Sequence, residues 1–239
     1  MKRIVLAASF SLIFLLGYGQ QSFISRVGYS LSPNMNYRVL KNTNGSELND
    51  VTIRNRDDEE SMFRSLGAEL KVGHDFGNHL NLETGIGYTR MGYSTVFTPT
   101  FGPLTPDEPD VFRILFNENF DYLSVPLRLI VRTSSSKKGF RLVGGVGISA
   151  GFLTRASVTS IEEMISGKRD RKTVSSSTDY NTFNLFPEAS LGMDAELSDK
   201  LTIHMGPSFR YGILNIIDKP INGFLWTASF DFAYYYAFN

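Results

Sequence analysis

Residues 225–238, at the C-terminal end of the chain, alternate between large apolar side chains and small or polar ones. Aromatic residues occupy every even position from 230 to 238, whereas Ser229, Asp231 and Ala233 fall between them. Successive side chains of an extended chain point to opposite faces, so the pattern predicts a strand with one apolar face. Five consecutive outward aromatics are typical of a strand that lies against lipid. The predicted lipid-facing ladder consists of Phe230, Phe232, Tyr234, Tyr236 and Phe238.

The same alternation recurs along the chain and predicts eight strands. They cover residues 23–37, 61–74, 79–93, 120–132, 140–154, 181–197, 201–214 and 225–238. Long polar connections follow the first, third and fifth strands, and short turns follow the second, fourth and sixth. In bacterial barrels the short turns face the periplasm and the long loops face outside. The sequence therefore predicts an all-β fold, an eight-stranded antiparallel up-and-down transmembrane β-barrel.

The charged residues of the predicted strands gather on the face opposite the apolar one. Their signs nearly cancel, and an eight-stranded barrel is just wide enough for side chains to fill its interior. We therefore expect a filled polar interior closed by hydrogen-bonded ion pairs; a selectivity filter, the alternative, would favour one sign of charge. Arg26 is expected to join this interior. The predicted interior charge network comprises Glu69, Lys71, Glu83, Arg128, Arg141, Glu188, Asp194, Glu196, Arg210 and Asp231.

The N-terminus has the order of a secretory signal. Lys2 and Arg3 precede an apolar run at 4–16, which small residues follow up to Gly19. The run is short against the roughly 20 residues that a spanning helix needs, although a single membrane anchor is the alternative. We expect residues 1–19 to be a signal peptide that is cleaved after Gly19, and residues 20–239 to form the barrel domain.

Composition narrows the function classes. The 239 residues carry 24 basic and 24 acidic side chains, and this balance argues against a nucleic-acid binder, which normally has a basic excess. The chain has no cysteine, which excludes disulfides, thiolate metal sites and a lipoprotein anchor. Because zinc-ligand spacings are also absent from the sequence, we predict neither a metal nor a cofactor.

A serine–histidine–acid set can be drawn but is geometrically poor. His204 and Ser208 share the inner face of one predicted strand, and Asp194 or Glu196 lies on the adjoining strand. Four positions at strand rise separate the first two by roughly 13 Å, whereas a catalytic hydrogen bond spans about 3 Å. We interpret His204 as a member of the interior network and predict no enzyme activity.

Two other motifs have simpler interpretations than binding sites. Gly144–Gly145 would need a following helix start to cradle a phosphate, and the pattern predicts none. The basic run at 168–172 lies in the middle of a polar connection. We interpret it as a solvated loop tip, with an anion-binding site as the alternative.

Several structural motifs resemble one known family. The segments Tyr122–Leu129, Leu82–Tyr88 and Gly144–Gly147, together with the aromatic last strand, are similar to the PorT-like outer-membrane β-barrel proteins of Bacteroidota. The resemblance covers essentially the whole mature chain. It implies an outer-membrane location in a Gram-negative bacterium, contact with outer-membrane lipid, and recognition of the last strand by the barrel-assembly machinery. It implies no catalytic residues, and one family component is tied to type IX protein secretion.

The sequence thus predicts a non-enzymatic structural or interaction protein of the outer membrane. Its contacts with protein partners are expected at the connections 41–60, 94–119 and 156–180, and an accessory role in secretion is one form of this function. A small-solute pore and a lipid-modifying or proteolytic barrel enzyme stay open as alternatives.

Overall fold

The computed structural model of the chain describes residues 24–99, 111–134, 139–175, 180–217 and 219–238. The predicted signal peptide lies outside the described residues. Within them the chain forms ten strands and one helix. In chain order these are β1 (Arg26–Asn42), α1 (Glu47–Glu59), β2 (Glu60–Phe76), β3 (Leu80–Thr95), β4 (Thr98–Pro99), β5 (Val111–Arg132), β6 (Phe140–Met164), β7 (Arg169–Ser175), β8 (Phe183–Ser198), β9 (Leu201–Tyr211) and β10 (Ile221–Ala237).

Eight of the strands close into a barrel. Its antiparallel ring runs β1–β2–β3–β5–β6–β8–β9–β10 and returns to β1. The first and last strands pair along almost their whole length, from Arg26 opposite Ala237 to Asn42 opposite Ile221. Closure gives every strand two neighbours, so its backbone groups can be paired inside lipid. The predicted eight-stranded up-and-down barrel is confirmed.

The strand register determines how the strands tilt. Following paired residues once around the ring from Arg64 leads to His74, ten positions further along β2. With eight strands this stagger corresponds to a tilt of about 40°. A strand at that tilt crosses the hydrocarbon core with roughly 9–11 residues. Since β5 has 22 residues and β6 has 25, both extend well beyond it.

The outside of the barrel carries an apolar belt. Exposed apolar side chains alternate with inward polar ones along the strands, and so large an apolar surface is typical of a membrane protein. Four residues of the C-terminal ladder are exposed on this outer face, Phe230, Phe232, Tyr236 and Phe238, and Tyr234 is partly exposed. Other residues of the belt are Tyr29, Leu31, Leu66, Leu70, Ile86, Leu123, Val125, Leu127, Leu142, Val146, Leu191 and Phe209.

The prediction of a loop at 41–60 is wrong, because helix α1 occupies most of it and Glu60 begins β2. None of the helix residues is buried, so its sequence has no apolar stripe of the kind that signals a helix. Glu47 and Asp50 in the first turn and Arg56 in the last turn favour the helix dipole. No helix in the described part of the chain is long and apolar enough to cross a membrane.

The other long connections also contain more strand than predicted. Residues 111–116, which belong to the predicted connection 94–119, are the first part of β5. Strand β6 continues ten residues past Thr154 and returns as β7, so most of the predicted loop 156–180 is a hairpin. The turn of this hairpin contains Gly167 with φ of 79°, a conformation that favours glycine.

Candidate functional site

Arg128 is the centre of a group of ion pairs in the periplasmic half of the barrel. Its guanidinium forms a bidentate pair with Glu69, in which Nη2 donates to Oε2 over 2.8 Å. Its Nε donates to Oε1 of Glu188 over 2.6 Å, and its Nη1 lies 3.2 Å from Oε1 of Glu83. The three carboxylates come from β2, β8 and β3. One buried cation therefore joins three strands across the interior.

Glu83 is the most enclosed of these carboxylates. Nζ of Lys71 lies 3.5 Å from its Oε1, and Nη2 of Arg26 lies 3.7 Å from its Oε2. The hydroxyl of Tyr235 donates to the same Oε2 over 2.8 Å. Since every neighbour is a cation or a hydrogen-bond donor, the buried carboxylate is fully compensated.

Arg210 completes this group, with Nη2 lying 3.7 Å from Oε2 of Glu188. The space left among these side chains is about 30 Å³, room for one or two water molecules. The group thus fills the barrel at this level. We call it the charged layer, and it consists of Arg26, Glu69, Lys71, Glu83, Arg128, Glu188 and Arg210.

A second set of ion pairs lies nearer the periplasmic end. Asp194 accepts from Nε of Arg132 over 2.9 Å, and its Oδ1 is 2.7 Å from Nδ1 of His204. Nη1 of Arg132 also donates to Asp75 over 3.0 Å. The buried hydroxyl of Ser208 has no hydrogen-bond partner among the described residues, so the serine–histidine–acid set is not assembled.

The structure places Arg141 and Glu196 away from the charged layer, whereas Asp231 lines the space left within it. Arg141 and Glu196 form a partly exposed pair at the periplasmic rim, with 2.5 Å between Nη2 and Oε1. Asp231 accepts from the hydroxyl of Ser32 over 2.5 Å. The sequence interpretation missed Arg132, although it has the inward parity of Arg128 four positions earlier.

An apolar cluster fills the outer half of the interior. Tyr122 packs edge-to-face on Phe186 with ring centroids 5.4 Å apart, and Phe120 packs in the same way on Tyr180 at 5.1 Å. The alternation that places Ser124 and Arg128 inside also places Tyr122 inside, so a sequence signal existed for this cluster. We call it the apolar layer, and its buried members are Met91, Tyr93, Phe120, Tyr122, Ala156, Phe186, Ile216 and Leu225.

Helix α1 joins the strand extensions at the outer mouth of the barrel. Arg38 of β1 pairs with Glu60, its Nε donating to Oε2 over 2.8 Å, and its Cζ stacks 3.5 Å from the ring centroid of Tyr93. Arg56, in the last turn of the helix, shares the same carboxylate at 3.1 Å. Tyr93 in turn donates to Glu118 of β5. We call the following set the extracellular platform: helix α1, the outer ends of β1, β3, β5 and β6, strand β7, and residues 212–217 and 219–221.

Two cavities open on the platform on either side of Tyr93 and Glu118. The first has about 330 Å³ and lies between α1 and the β9–β10 connection, whereas the second has about 270 Å³ and lies beneath the helix end. The first is lined by Arg38, Leu40, Asn49, Arg56, Tyr93, Glu118, Tyr180, Ile216, Ile217, Lys219, Pro220, Ile221 and Gly223. The second is lined by Arg56, Glu59, Glu60, Tyr93, Thr95, Phe116, Glu118 and Val158.

Two of the four basic residues at 168–172 pair with acidic residues of β6. Nε of Arg169 lies 3.1 Å from Glu163, and Nζ of Lys172 lies 3.0 Å from Glu162. A hydrogen bond from Arg113 lowers the pKa of the Glu163 carboxyl below its usual value. The run is therefore part of a ladder of cross-strand pairs on β7 and not a loop tip. Exposed pairs of this kind contribute little to stability.

Among the described residues, no three or more histidine, cysteine, aspartate or glutamate side chains lie together in a way that could hold a metal ion.

A family model described as an outer membrane protein beta-barrel domain matches residues 18–218. No curated protein matches the chain.

Similar solved structures are barrels of distant sequence. Neisserial surface protein A has a TM-score of 0.48 and 10% identity over 89% of this chain and 96% of that one. OprG from Pseudomonas aeruginosa has a TM-score of 0.43 and 11% identity over 90% and 97%. Ail of Yersinia pestis has a TM-score of 0.35 and 13% identity over 87% and 98%.

Proposed function

Since the chain belongs to the family of outer membrane protein β-barrel domains, we propose that it is a closed, non-enzymatic interaction protein of the Gram-negative outer membrane. The extracellular platform, with its two cavities above a filled interior, is the observation that carries this proposal. Its partner is a protein that inserts side chains into those cavities from outside the cell.

The filled interior supports an interaction role over a pore. A solute would have to pass the apolar layer and then the charged layer, where about 30 Å³ is left between side chains. The enzyme alternative has little support either, because Asp194 holds His204 while Ser208 lacks a hydrogen-bond partner among the described residues.

The first cavity has the size and lining of an anchor site. Its volume of about 330 Å³ exceeds that of one large side chain, and such pockets carry most of the binding energy of protein interfaces. Tyr180 and Ile216 supply apolar walls, and Arg56 and Lys219 supply positive charge. A partner that presents an aromatic side chain beside a carboxylate would complement this lining.

The narrower kinship with PorT-like proteins of Bacteroidota belongs to the same proposal. If it holds, the partner is a component of protein secretion, and the signal peptide and the barrel-assembly machinery bring the chain to the membrane. The aromatic last strand, paired with β1 along its length, is the element that the assembly machinery would recognise.

Site-specific photo-cross-linking in intact cells of the native host tests the proposal. A cross-linking residue at Asn49, which lines the first cavity, is expected to give one discrete product. The matched control is the same residue at Asn78, in the exposed turn between β2 and β3. Ile217→Trp, which fills the cavity, is expected to abolish the product from Asn49. Absence of a product, or one that Ile217→Trp leaves unchanged, would contradict the proposal.

A further inference from the structure

Three arginines follow one another across neighbouring strands on the outside of the barrel. Arg90 of β3 is opposite Asp121 of β5, which is in turn opposite Arg155 of β6. Arg64 lies in the stretch of β2 between Met62, opposite Tyr93, and Gly67, opposite Thr89, where the register shifts. The next residue, Ser65, donates to the Arg90 carbonyl over 2.6 Å, so Arg64 lies at about the level of Arg90. We call Arg64, Arg90 and Arg155 the arginine row.

The arginine row marks the outer end of the apolar belt. Arg64 and Arg155 are exposed, and the Arg90 side chain is 40% exposed although it is paired. On β2, β3 and β5 the next outward positions toward the periplasm are Leu66, Tyr88 and Leu123, each of them exposed. On β6 the exposed Thr154 of the bulge comes first, and the exposed Phe152 follows it.

The positive charge of the row is only partly balanced. Arg90 forms a bidentate pair with Asp121, with bonds of 2.6 and 3.1 Å. Arg155 donates to the hydroxyl of Ser175 over 3.1 Å. This hydroxyl is neutral and does not balance the charge of Arg155. Among the described residues none forms an ion pair or hydrogen bond with the side chain of Arg64. Within the described ranges, three arginines against one aspartate leave two positive charges without a carboxylate partner.

The remaining outer rim of the barrel is aromatic. Trp226 of β10 lies with its ring 6.3 Å from Tyr37 of β1 and 5.9 Å from Phe209 of β9. Tyr211 of β9 stacks on Phe224 of β10 at 6.4 Å. Uncharged girdles of this kind suit any bilayer interface. At the level of the arginine row, the cations of the described residues thus lie in the sector of β2, β3, β5 and β6, whereas the exposed Lys41 of β1 lies four positions further out than Tyr37. This indicates a local site.

We infer that the arginine row binds the phosphate groups of a phosphorylated glycolipid of the outer leaflet, lipid A. Guanidinium groups match phosphate oxygens in bidentate geometry. The acyl chains of the same lipid lie against the apolar residues below the row. A phosphate at this position supplies negative charge to the row, and the acyl chains cover the adjoining apolar surface.

Native mass spectrometry of the purified barrel in neutral detergent tests the inference. Diphosphorylated lipid A is expected to bind, whereas the dephosphorylated lipid is expected to bind at least about tenfold more weakly, since charge-assisted bonds are lost. The double variant Arg64→Gln/Arg155→Gln, which leaves the Arg90–Asp121 pair intact, is expected to lose a similar factor.

The matched control is Lys168→Gln/Arg171→Gln, which removes the same charge from the hairpin beyond the belt. It is expected to bind lipid A as the unmodified protein does. Heat-modifiable migration on a gel checks that each barrel is folded, and single variants replace a double variant that does not fold. Equal binding of both lipids, or an equal loss in the control, would overturn the inference.

Discussion

At the scale of single residues, the interior can hold its buried charges because the charged layer pairs each of them with a charge of opposite sign. Arg128 is about nine-tenths buried and contacts three carboxylates from three strands. Burying such a group is costly, so the complete set adds little net stability, but an incomplete set leaves charges that nothing compensates.

Replacing Arg128 is therefore expected to destabilise the barrel strongly. Arg128→Ala removes the guanidinium that joins Glu69, Glu83 and Glu188, and it leaves Glu69 with only the more distant Lys71, 3.9 Å away. It should lower the free energy of unfolding by about 3–5 kcal/mol. Denaturant unfolding in lipid vesicles, followed by tryptophan fluorescence, measures this change. Arg141→Ala is the control, because its pair with Glu196 is 25–30% exposed and should contribute less than about 1 kcal/mol. Equal losses of unfolding free energy in Arg128→Ala and Arg141→Ala would contradict the prediction, because burial of the ion pair would then make no difference to its contribution.

The sequence alone places most of these residues on the correct face but not in the correct groups. Strand parity puts Glu69, Lys71 and Arg128 inside, because one register slip would turn every side chain outward. It does not show that Arg141 pairs at the rim while Arg128 lies in the middle, since this depends on the stagger between strands. Which charges meet depends on the strand register, which is displaced by ten residues on going once around the barrel.

At the scale of elements, the membrane-spanning parts were predictable and the extracellular parts were not. Within the belt, each strand has one face toward lipid and one toward the filled interior, so exposed apolar side chains must alternate with buried ones. Strand β5 shows this alternation from Tyr122 to Val131. Helix α1 buries none of its residues, so no periodicity could reveal it.

A β-bulge in β6 is a second feature that alternation does not show. The register shifts where Asp121 and Tyr122 oppose Arg155 and Leu153. The extra residue there is Thr154, and this bulge carries Ala156 into the apolar layer.

Close approach of β3 and β5 depends on one glycine. A Cβ on Gly92 would lie 2.0 Å from the carbonyl oxygen of Glu118, so Gly92→Ala must force the two strands apart. We expect a loss of about 2–3 kcal/mol in the free energy of unfolding and a lower yield of heat-modifiable barrel.

The control for this prediction is Gly144→Ala in β6. A Cβ at Gly144 would meet nothing within 4 Å, and its partner in the register is the exposed Leu191. Its stability is expected to equal that of the unmodified protein. A Gly92→Ala barrel of undiminished stability would mean that the strands separate here at no cost.

At the scale of the whole molecule, the barrel presents two different candidate binding surfaces, the extracellular platform and the arginine row. The platform presents cavities to the extracellular side, and the arginine row presents charge to the outer leaflet on one sector only. Neither surface communicates with the periplasm through the interior, because two layers of different chemistry lie between them. A signal or solute crossing this molecule would have to displace both layers.

An ion that crossed the barrel would have to pass both the apolar layer and the charged layer, so removing one of them should not allow conductance. Phe186→Ala and Phe120→Ala thin the apolar layer but leave the charged layer intact, so we expect neither variant nor the unmodified protein to conduct ions. Planar bilayer recordings on protein whose insertion is verified measure this directly. Because ions are excluded by ion pairs that are already satisfied, the result should hold at both low and high salt. Steady single-channel steps from the unmodified protein would contradict the closed interior and favour the solute pore. Steps that appear only after Phe186→Ala would instead show that the apolar layer is the sole barrier.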